Sequence, residues 1–174
     1  MKTEENILII GAGLCGSLLA LRLGQRGYNV RVMERRSDLR KENISAGRSI
    51  NLALSNRGIK ALKMVGLENK VKSLCIPMHG RMLHDKMGNT KLSKYSGRDD
   101  EYINSISREL LTALLIDEAE ALENVSVEFH QKCDAVDFEN NIARFKNSKN
   151  GRALDCAANR IFGTDGAGSI LRKS

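Results

Sequence analysis

An apolar run that leads directly into three spaced glycines constrains this chain more than any other part of its sequence. Asn6 to Ile10 is typical of a buried β-strand, and the glycines that follow it are Gly11, Gly13 and Gly16. In a strand–turn–helix unit, the first glycine permits the tight turn and the second lets the backbone approach a pyrophosphate. The third lets the helix pack closely on the strand. This spacing therefore predicts the first βαβ unit of a dinucleotide-binding fold.

The next residues continue this unit through a helix and a second strand. Apolar residues recur at helical spacing, and a glycine is placed to end the helix in the left-handed conformation. These residues are Leu14, Leu18, Leu21 and Gly27. Residues 28–33 then alternate between apolar and polar side chains, as β-strands do. The pattern places Glu34 at the carboxyl end of the second strand.

Glu34 is the residue that identifies the kind of ligand. A carboxylate at this position can accept hydrogen bonds from both hydroxyls of an adenosine ribose. It disfavours a phosphate on that ribose, so the site suits FAD or NAD better than NADP. A glycine turn without a ligand is the less favoured interpretation, because strand, helix and acid are all in place. These residues alone leave open which dinucleotide is bound.

The composition excludes several other classes of protein. With 174 residues, 41% of them hydrophobic and 28% charged, the chain is the size of one soluble globular domain. Its cysteines and histidines have neither metal-ligand nor disulfide spacing, so we expect reduced, buried thiols, no metal and a cytoplasmic location. No apolar run is long enough for a membrane segment. The net charge of +7 is explained by anionic small molecules, and with 4% aromatic residues we expect no nucleic-acid partner.

The rest of the chain predicts further strands and two helices. Alternating side chains predict strands at residues 49–54, 82–84, 91–106, 125–129, 132–138 and 142–145. Ser55 and Ser107 are placed to cap helices, and Asn150–Gly151 favours a hairpin turn. We therefore predict an α/β fold, in which a Rossmann-like domain with a parallel sheet carries part of a small antiparallel sheet.

Four segments give a more specific signal. They are residues 47–58 (GRSINLALSNRG), 76–84 (IPMHGRMLH) and 102–109 (YINSISRE), and the closing Asp165-Gly166-x-x-Ser169-x-x-Arg172. The first three resemble the kynurenine hydroxylases, and the last resembles the wider family of flavoprotein aromatic hydroxylases to which those enzymes belong. The similarity runs through the whole chain in order, and residues 47–58 are its most specific part.

This resemblance implies FAD as the cofactor, with NADPH and dioxygen as the other reactants. It places Glu34 on the adenosine ribose, Asp165 at the middle of the cofactor, Ala53 beside the flavin and the backbone of Cys133 near the adenine. The other residues that it implies for FAD are Gly11, Gly13, Leu14, Cys15, Gly16, Met33, Arg35, Arg36 and Arg108.

The resemblance also implies the substrate, L-kynurenine, hydroxylated at ring position 3. Arg81 matches the arginine that binds the amino-acid carboxylate, and Tyr95 matches a tyrosine of the same pocket. The flavin carries the chemistry, so no side chain is expected to be catalytic. From spacing alone, a surface pair between Arg81 and Asp85 is the simpler interpretation. The basic residues from Arg35 to Lys41 are expected to form a solvated face.

The enzymes of this family are longer than 174 residues. We therefore expect residues 1–174 to be a truncated, N-terminal portion of an FAD-binding domain, inactive alone, with residues 75–106 contributing to the substrate-binding sheet. Two alternatives stay open. One is a different flavin-dependent hydroxylase or epoxidase, and the other is a non-catalytic nucleotide-binding module.

Overall fold

The computed structural model describes residues 5–41, 50–98 and 101–173. Gly47, Arg48 and Ser49, which open the segment that resembles the hydroxylases, lie outside the described residues. The helices and strands in chain order are β1 (Asn6–Ile10), α1 (Leu14–Gln25), β2 (Asn29–Met33), β3 (Asn51–Leu54), α2 (Asn56–Met64), α3 (Glu68–Lys72), β4 (Ile76–Met78), β5 (Gly80–His84), β6 (Thr90–Lys94), β7 (Ile103–Ser107), α4 (Arg108–Glu120), β8 (Val125–Glu128), β9 (Gln131–Asp137), β10 (Ile142–Asn147), β11 (Ala153–Ala157) and β12 (Arg160–Gly163).

The chain divides into two compact units. Unit 1 consists of Met1–Arg48 together with Glu109–Ser174, and unit 2 consists of Ser49–Arg108. The predicted α/β class is confirmed, because unit 1 contains a parallel sheet and both units contain antiparallel strands. None of the helices within the described residues is long and apolar enough to cross a membrane.

Unit 1 is built on a four-stranded parallel sheet in the order β12-β1-β2-β8. The residues of β1 from Ile7 to Ile10 are all buried, as expected for a parallel strand covered on both faces. Leu8 and Ile10 share a core with Phe145, which belongs to the three-stranded antiparallel sheet β11-β10-β9. Helix α1 packs against β1, β2 and β8. The buried parallel sheet therefore fixes the positions of the loops that follow its strands at their carboxyl ends.

Helix α1 contacts the sheet mainly through small residues, and of the predicted row of leucines only Leu21 is buried. Its buried residues are Gly16, Ser17, Ala20, Leu21 and Gly24, whereas Leu14 and Leu18 are only partly buried. A Cβ atom on Gly16 would lie 1.9 Å from the Gly11 carbonyl oxygen. At Gly16 the helix therefore approaches the glycine-rich loop so closely that a larger side chain cannot occupy this position.

The predicted end of α1 is confirmed. Gly27 has φ 87°, its N–H donates to the Gly24 carbonyl at 2.9 Å, and the Tyr28 N–H donates to the Leu23 carbonyl at 3.2 Å. These two bonds define a Schellman motif, in which glycine adopts the left-handed conformation at no steric cost. Gly66, with φ 80°, ends α2 in the same way.

Unit 2 contains two small sheets instead of the single one that the sequence predicts. Strands β3, β7 and β4 form a three-stranded antiparallel sheet, and β5 pairs with β6 as a separate hairpin. The strand predicted over residues 91–106 is confirmed only at its two ends, because β6 ends at Lys94 and β7 begins at Ile103. Between these two strands the alternation of apolar and polar side chains is interrupted by Ser96, Gly97 and the charged residues that follow.

The close contact of α1 with the glycine-rich loop gives a test of the fold. We expect Gly16→Ala to lower the free energy of unfolding by about 1–3 kcal/mol or more, because its Cβ would also lie 2.5 Å from Thr164 Oγ1. Urea unfolding followed by circular dichroism measures this change. Gly168→Ala is the control, since no described atom lies within 4 Å of its Cβ position, and it should change stability by less than about 0.5 kcal/mol. Equal stabilities of the two variants would contradict the close packing.

Candidate functional site

The glycine-rich loop joins β1 to α1 at the carboxyl edge of the parallel sheet. Gly11 has φ 104°, a conformation that favours glycine, and its N–H donates to the Met33 carbonyl at 2.8 Å. Gly13 precedes the first helical residue, and no described atom lies within 4 Å of its Cβ position. The first N–H groups of a helix have no partner within the helix. The loop therefore presents free donors beside open space, an arrangement that suits phosphates.

Thr164 also contacts the glycine-rich loop, although its sequence position alone does not predict this contact. It follows β12, its N–H donates to the Ile10 carbonyl at 2.9 Å, and its Oγ1 lies 2.7 Å from the Gly11 carbonyl oxygen. The hydroxyl thus ties the glycine-rich loop to the end of a strand near the other end of the chain. Its position directly before the Asp165-Gly166 motif was the available signal, but only the pairing of β12 with β1 shows what it contacts.

Glu34 lies at the carboxyl end of β2, as predicted, and is buried. Its Oε2 accepts the Ala12 N–H at 2.8 Å, and its Oε1 accepts the Arg36 N–H at 3.0 Å and the Arg36 Nε–H at 2.9 Å. Burial raises the pKa of Glu34, but the hydrogen bonds from Arg36 and Ala12 outweigh it and hold the pKa below the ordinary value of 4.5. Glu34 is therefore an ionised acceptor fixed against the glycine-rich loop.

The turn between β8 and β9 runs beside Glu34. The Gln131 N–H donates to the Glu34 carbonyl at 2.8 Å, and the His130 N–H donates to the Arg36 carbonyl at 3.0 Å. Cys133, two residues further along β9, is buried in the core, and this burial raises the pKa of its thiol to about 11. The thiol therefore stays neutral, and its side chain packs in the core, so the predicted contact of the Cys133 backbone with the adenine stays a prediction.

Asp165 completes the same edge of the sheet. Its Cα lies 3.1 Å from the position that a Cβ on Gly11 would take, so it adjoins the glycine-rich loop. Its Oδ2 accepts the Ile170 N–H at 2.8 Å. Its Oδ1 is buried and has no hydrogen-bond partner among the described residues. Leaving a buried acceptor unpaired is costly, so this oxygen is suited to a donor from a ligand, such as a hydroxyl.

Unit 1 therefore gathers most of the predicted cofactor residues at one edge. Because β1, β2 and β12 are parallel, their carboxyl ends lie side by side, and the residues in question belong to the strand ends, the loops that follow and the first turn of α1. These residues are Gly11, Gly13, Leu14, Cys15, Gly16, Met33, Glu34, Arg35, Arg36 and Asp165, with Cys133 close by on β9. Cys15 is exposed and Cys75 is only partly buried, so the expectation of buried thiols is confirmed only for Cys133 and Cys156.

The basic residues after β2 are not uniformly solvated. Arg40 is half-buried, donates to Asp38, Asp117 and Glu120, and lies 5.6 Å from the centre of the Phe129 ring. Hydrogen bonds to the carboxylates raise its pKa further above the ordinary value. Arg40 therefore has a structural role, and the predicted solvated face is wrong at this position.

The remaining predicted residues belong to unit 2. Ala53 is exposed on β3 opposite Ser105, and Arg108 is exposed at the start of α4, where its N–H donates to the Ile50 carbonyl at 3.1 Å. Their predicted contacts with the flavin stay predictions.

Arg81 and Tyr95 both lie on the β5–β6 hairpin. Arg81 lies opposite Ser93, and the Tyr95 N–H donates to the His79 carbonyl at 3.0 Å, which extends the pairing beyond β6. Side chains two residues apart share a face, so Arg81 and Tyr95 lie diagonally on one face of the hairpin. Asp85 accepts the N–H groups of Met87 and Asn89 within the turn, each at 2.8 Å. The alternative pair between Asp85 and Arg81 is therefore not observed.

Tyr95 also lines a cleft of about 350 Å³ within unit 2. Two tyrosines, a cation and several small polar side chains form its walls: Ser55, Asn56, Arg57, Tyr95, Ser96, Glu101, Tyr102 and Ile103. The Tyr102 ring packs on the His79 ring with centroids 5.2 Å apart. Unit 1 has a cleft of about 410 Å³, but it lies at the amino ends of β1, β2 and β8, away from the glycine-rich loop.

Comparisons with known proteins agree with this geometry. The sequence profile of a family described as "FAD binding domain" matches residues 4–174. A protein of Myxococcus xanthus named kynurenine 3-monooxygenase is 41% identical over 171 residues, which cover 98% of this chain and 37% of that protein. The chain thus spans little more than a third of the length of the curated relatives that it matches.

Two solved structures show the same fold. One is p-nitrophenol 4-monooxygenase PnpA from Pseudomonas putida, with a TM-score of 0.77 and 21% identity, covering 99% of this chain and 43% of that one. The other is PqsL of P. aeruginosa in complex with 2-aminobenzoylacetate, with a TM-score of 0.71 and 26% identity, covering 97% of this chain and 45% of that one.

The low pKa of Glu34 predicts a pH-dependent contribution to stability. A carboxyl whose pKa is lower in the folded protein stabilises it above the unfolded value, and this stabilisation is lost as the pH falls through the folded value. We therefore expect the stability difference between wild type and Glu34→Gln to be largest near pH 6 and to shrink below about pH 4.5. Urea unfolding of both proteins between pH 6 and pH 3.5 measures it. A constant difference over this range would show that the Glu34 charge is unimportant.

Proposed function

This chain belongs to the FAD binding domain family, and we propose that it holds FAD along its glycine-rich loop as part of an L-kynurenine 3-hydroxylase. The observation that carries the cofactor assignment is the buried, unpartnered Oδ1 of Asp165 next to Gly11. A hydroxyl of the cofactor's central chain would satisfy it, and the pyrophosphate would meet the N–H groups at the start of α1. The residues present therefore fit FAD.

Glu34 would hold the adenosine ribose, and its present bonds say how. A carboxylate has about four lone-pair positions, and three donors already occupy the Glu34 oxygens. One lone-pair position is therefore left, whereas the two hydroxyls of a ribose need two. The Arg36 side chain is 66% exposed, so its Nε–H can exchange for water easily. We propose that Arg36 releases Glu34 when the ribose binds, while the N–H groups of Ala12 and Arg36 keep the carboxylate in place.

The redox chemistry would come from FAD, with NADPH as the reductant and dioxygen as the oxidant, because no amino-acid side chain supplies it. The tasks of the protein are to hold the cofactor, to orient the ring that is hydroxylated and to keep water away from it. The donors of the glycine-rich loop and the acceptors Glu34 and Asp165 serve the first task. Arg81 and Tyr95 on unit 2 are proposed for the second.

The substrate assignment rests on the relatives and on the β5–β6 hairpin. The M. xanthus relative carries the name kynurenine 3-monooxygenase, and the PqsL structure contains 2-aminobenzoylacetate, which shares its aminobenzoyl group with kynurenine. Arg81 offers two parallel N–H groups for a carboxylate, and Tyr95 lies on the same face of the hairpin. An amino-acid side chain bearing an aminobenzoyl group suits this combination of cation and aromatic ring.

Gly13→Val tests the cofactor site. Its Cβ position is open, so the protein can accommodate the side chain, which would instead occupy the space of the phosphate oxygens. We expect FAD affinity to fall by about a hundredfold or more while the circular dichroism spectrum is unchanged. Gly97→Val is the control, because its Cβ position is equally open and no cofactor role is assigned to it. A folded Gly13→Val protein with normal FAD content would disprove the site.

Arg81→Met tests the substrate assignment in the natural protein that carries this chain. A charge-assisted hydrogen bond contributes about 1.5–3 kcal/mol, so L-kynurenine affinity should fall roughly ten- to a hundredfold. The FAD content should stay normal, hydrogen peroxide release per NADPH should rise, and Arg81→Lys should restore part of the affinity. Binding titrations and chromatography of 3-hydroxykynurenine measure these effects.

Lys94→Met provides the matched control for Arg81→Met. Lys94 lies opposite Gly80 on the other face of the hairpin, so its loss should leave kynurenine affinity unchanged. Wild-type affinity in flavin-replete Arg81→Met would remove the main support for the substrate. Turnover of p-nitrophenol but not of L-kynurenine by the wild-type protein would instead favour a different aromatic hydroxylase.

A further inference from the structure

A second buried oxygen in unit 1 lacks a hydrogen-bond partner. Among the side chains that the structure describes, two have a buried polar atom without any partner, and these atoms are Asp165 Oδ1 and Gln131 Oε1. Asp165 belongs to the glycine-rich loop site described above. Gln131 has no role in that site so far. Since an unpaired buried acceptor destabilises a protein, its retention calls for a ligand that donates to it.

The backbone places Gln131 directly beside the acid proposed for the ribose. The Gln131 N–H donates to the Glu34 carbonyl at 2.8 Å. The preceding residue, His130, has φ 63°, which is uncommon for a residue other than glycine. Its N–H donates to the Arg36 carbonyl at 3.0 Å, and its carbonyl accepts the Ser148 N–H at 2.8 Å. Bonds on both sides of this residue therefore fix the direction in which Gln131 enters β9.

The direction of the Gln131 side chain follows from the strand. Gln131 and Cys133 are two residues apart on β9, so their side chains point to the same face of the sheet. Cys133 is part of the buried core together with Met33, the last residue of β2. The Gln131 amide therefore lies at the rim of this core, next to the end of β2.

The base of a dinucleotide is attached to the ribose that Glu34 would hold. It must therefore lie within about one sugar's length of the β2 end, where Gln131 Oε1 is buried. Adenine carries an exocyclic 6-amino group with two N–H donors, whereas hypoxanthine carries a 6-oxo acceptor. Two acceptors facing each other repel and leave both unpaired. The chemistry of this oxygen thus favours an amine over a carbonyl at ring position 6.

We propose that Gln131 Oε1 accepts a hydrogen bond from the 6-amino group of adenine and so selects the base of the bound dinucleotide. This rests on the proposed function, since it assumes FAD at the glycine-rich loop. Gln131 is then a determinant of base specificity, while Glu34 and Asp165 contact the sugar and the central chain. It takes no part in the hydroxylation itself.

Base preference is the measurement that tests this role. The natural protein that carries this chain is freed of flavin and titrated with FAD and with flavin hypoxanthine dinucleotide, using the quenching of flavin fluorescence. We expect wild type to bind FAD at least about tenfold more tightly. In Gln131→Leu the two affinities should agree within about twofold, because the acceptor is gone. Gln131→Glu keeps an acceptor and should keep the preference.

Controls and contrary outcomes separate this role from a structural one. Gln25→Leu changes the only other glutamine of the chain, exposed at the end of α1, and should keep the wild-type preference. Gln131→Met provides a second apolar variant if Gln131→Leu does not fold. An equal preference in wild type and either apolar variant overturns the proposal, as does tighter binding of the hypoxanthine dinucleotide by wild type. Binding of neither dinucleotide by wild type overturns the proposed function as well.

Discussion

The parallel pairing of β12 with β1 is the contact on which the rest of the site depends. Ile10 lies opposite Gly163, so the residues that follow the two strands meet at the same edge of the sheet. There Thr164 Oγ1 lies 2.7 Å from the carbonyl oxygen of Gly11, 153 residues away in the sequence. A Cβ on Gly16 would come within 2.5 Å of the same hydroxyl. The last strand, the loop and α1 are thus held at separations that only glycine permits, and this closeness brings Asp165 to the loop.

Features that depend on neighbouring residues could be predicted from the sequence. The tight turn at Gly11, the left-handed helix end at Gly27 and the position of Glu34 at the end of β2 are all observed. In each case the backbone conformation is set by one residue and its immediate surroundings, chiefly because glycine alone tolerates φ above zero without strain. Most of the residues proposed for the cofactor lie in these local features, so their positions in the fold could be predicted from the sequence.

Features that depend on distant residues could not be predicted in the same way. The buried face of α1 consists mainly of small residues because the loop and the sheet lie so close to the helix, and the periodicity of the helix sequence does not reveal that distance. Arg40 belongs to a basic stretch, yet carboxylates of Asp117 and Glu120, on a helix about eighty residues later, bury and pair it. The positions of Thr164 beside Gly11 and of Gln131 beside Glu34 likewise depend on strands that are distant in the sequence. Tertiary contacts decide such cases over local pattern.

The polar groups at this edge of unit 1 differ in chemistry in the way that the parts of the proposed dinucleotide do. Backbone N–H donors at the start of α1 face open space and suit phosphate oxygens, whereas Glu34, Asp165 and Gln131 offer acceptors for hydroxyl and amine donors. Two of these acceptors are buried without partners, which costs stability in the protein without ligand. A ligand that satisfies them binds the folded chain and not the unfolded one, so its binding free energy adds to the stability of the fold. The unpaired acceptors that lower the stability of this unit alone would therefore couple its stability to binding of the proposed cofactor.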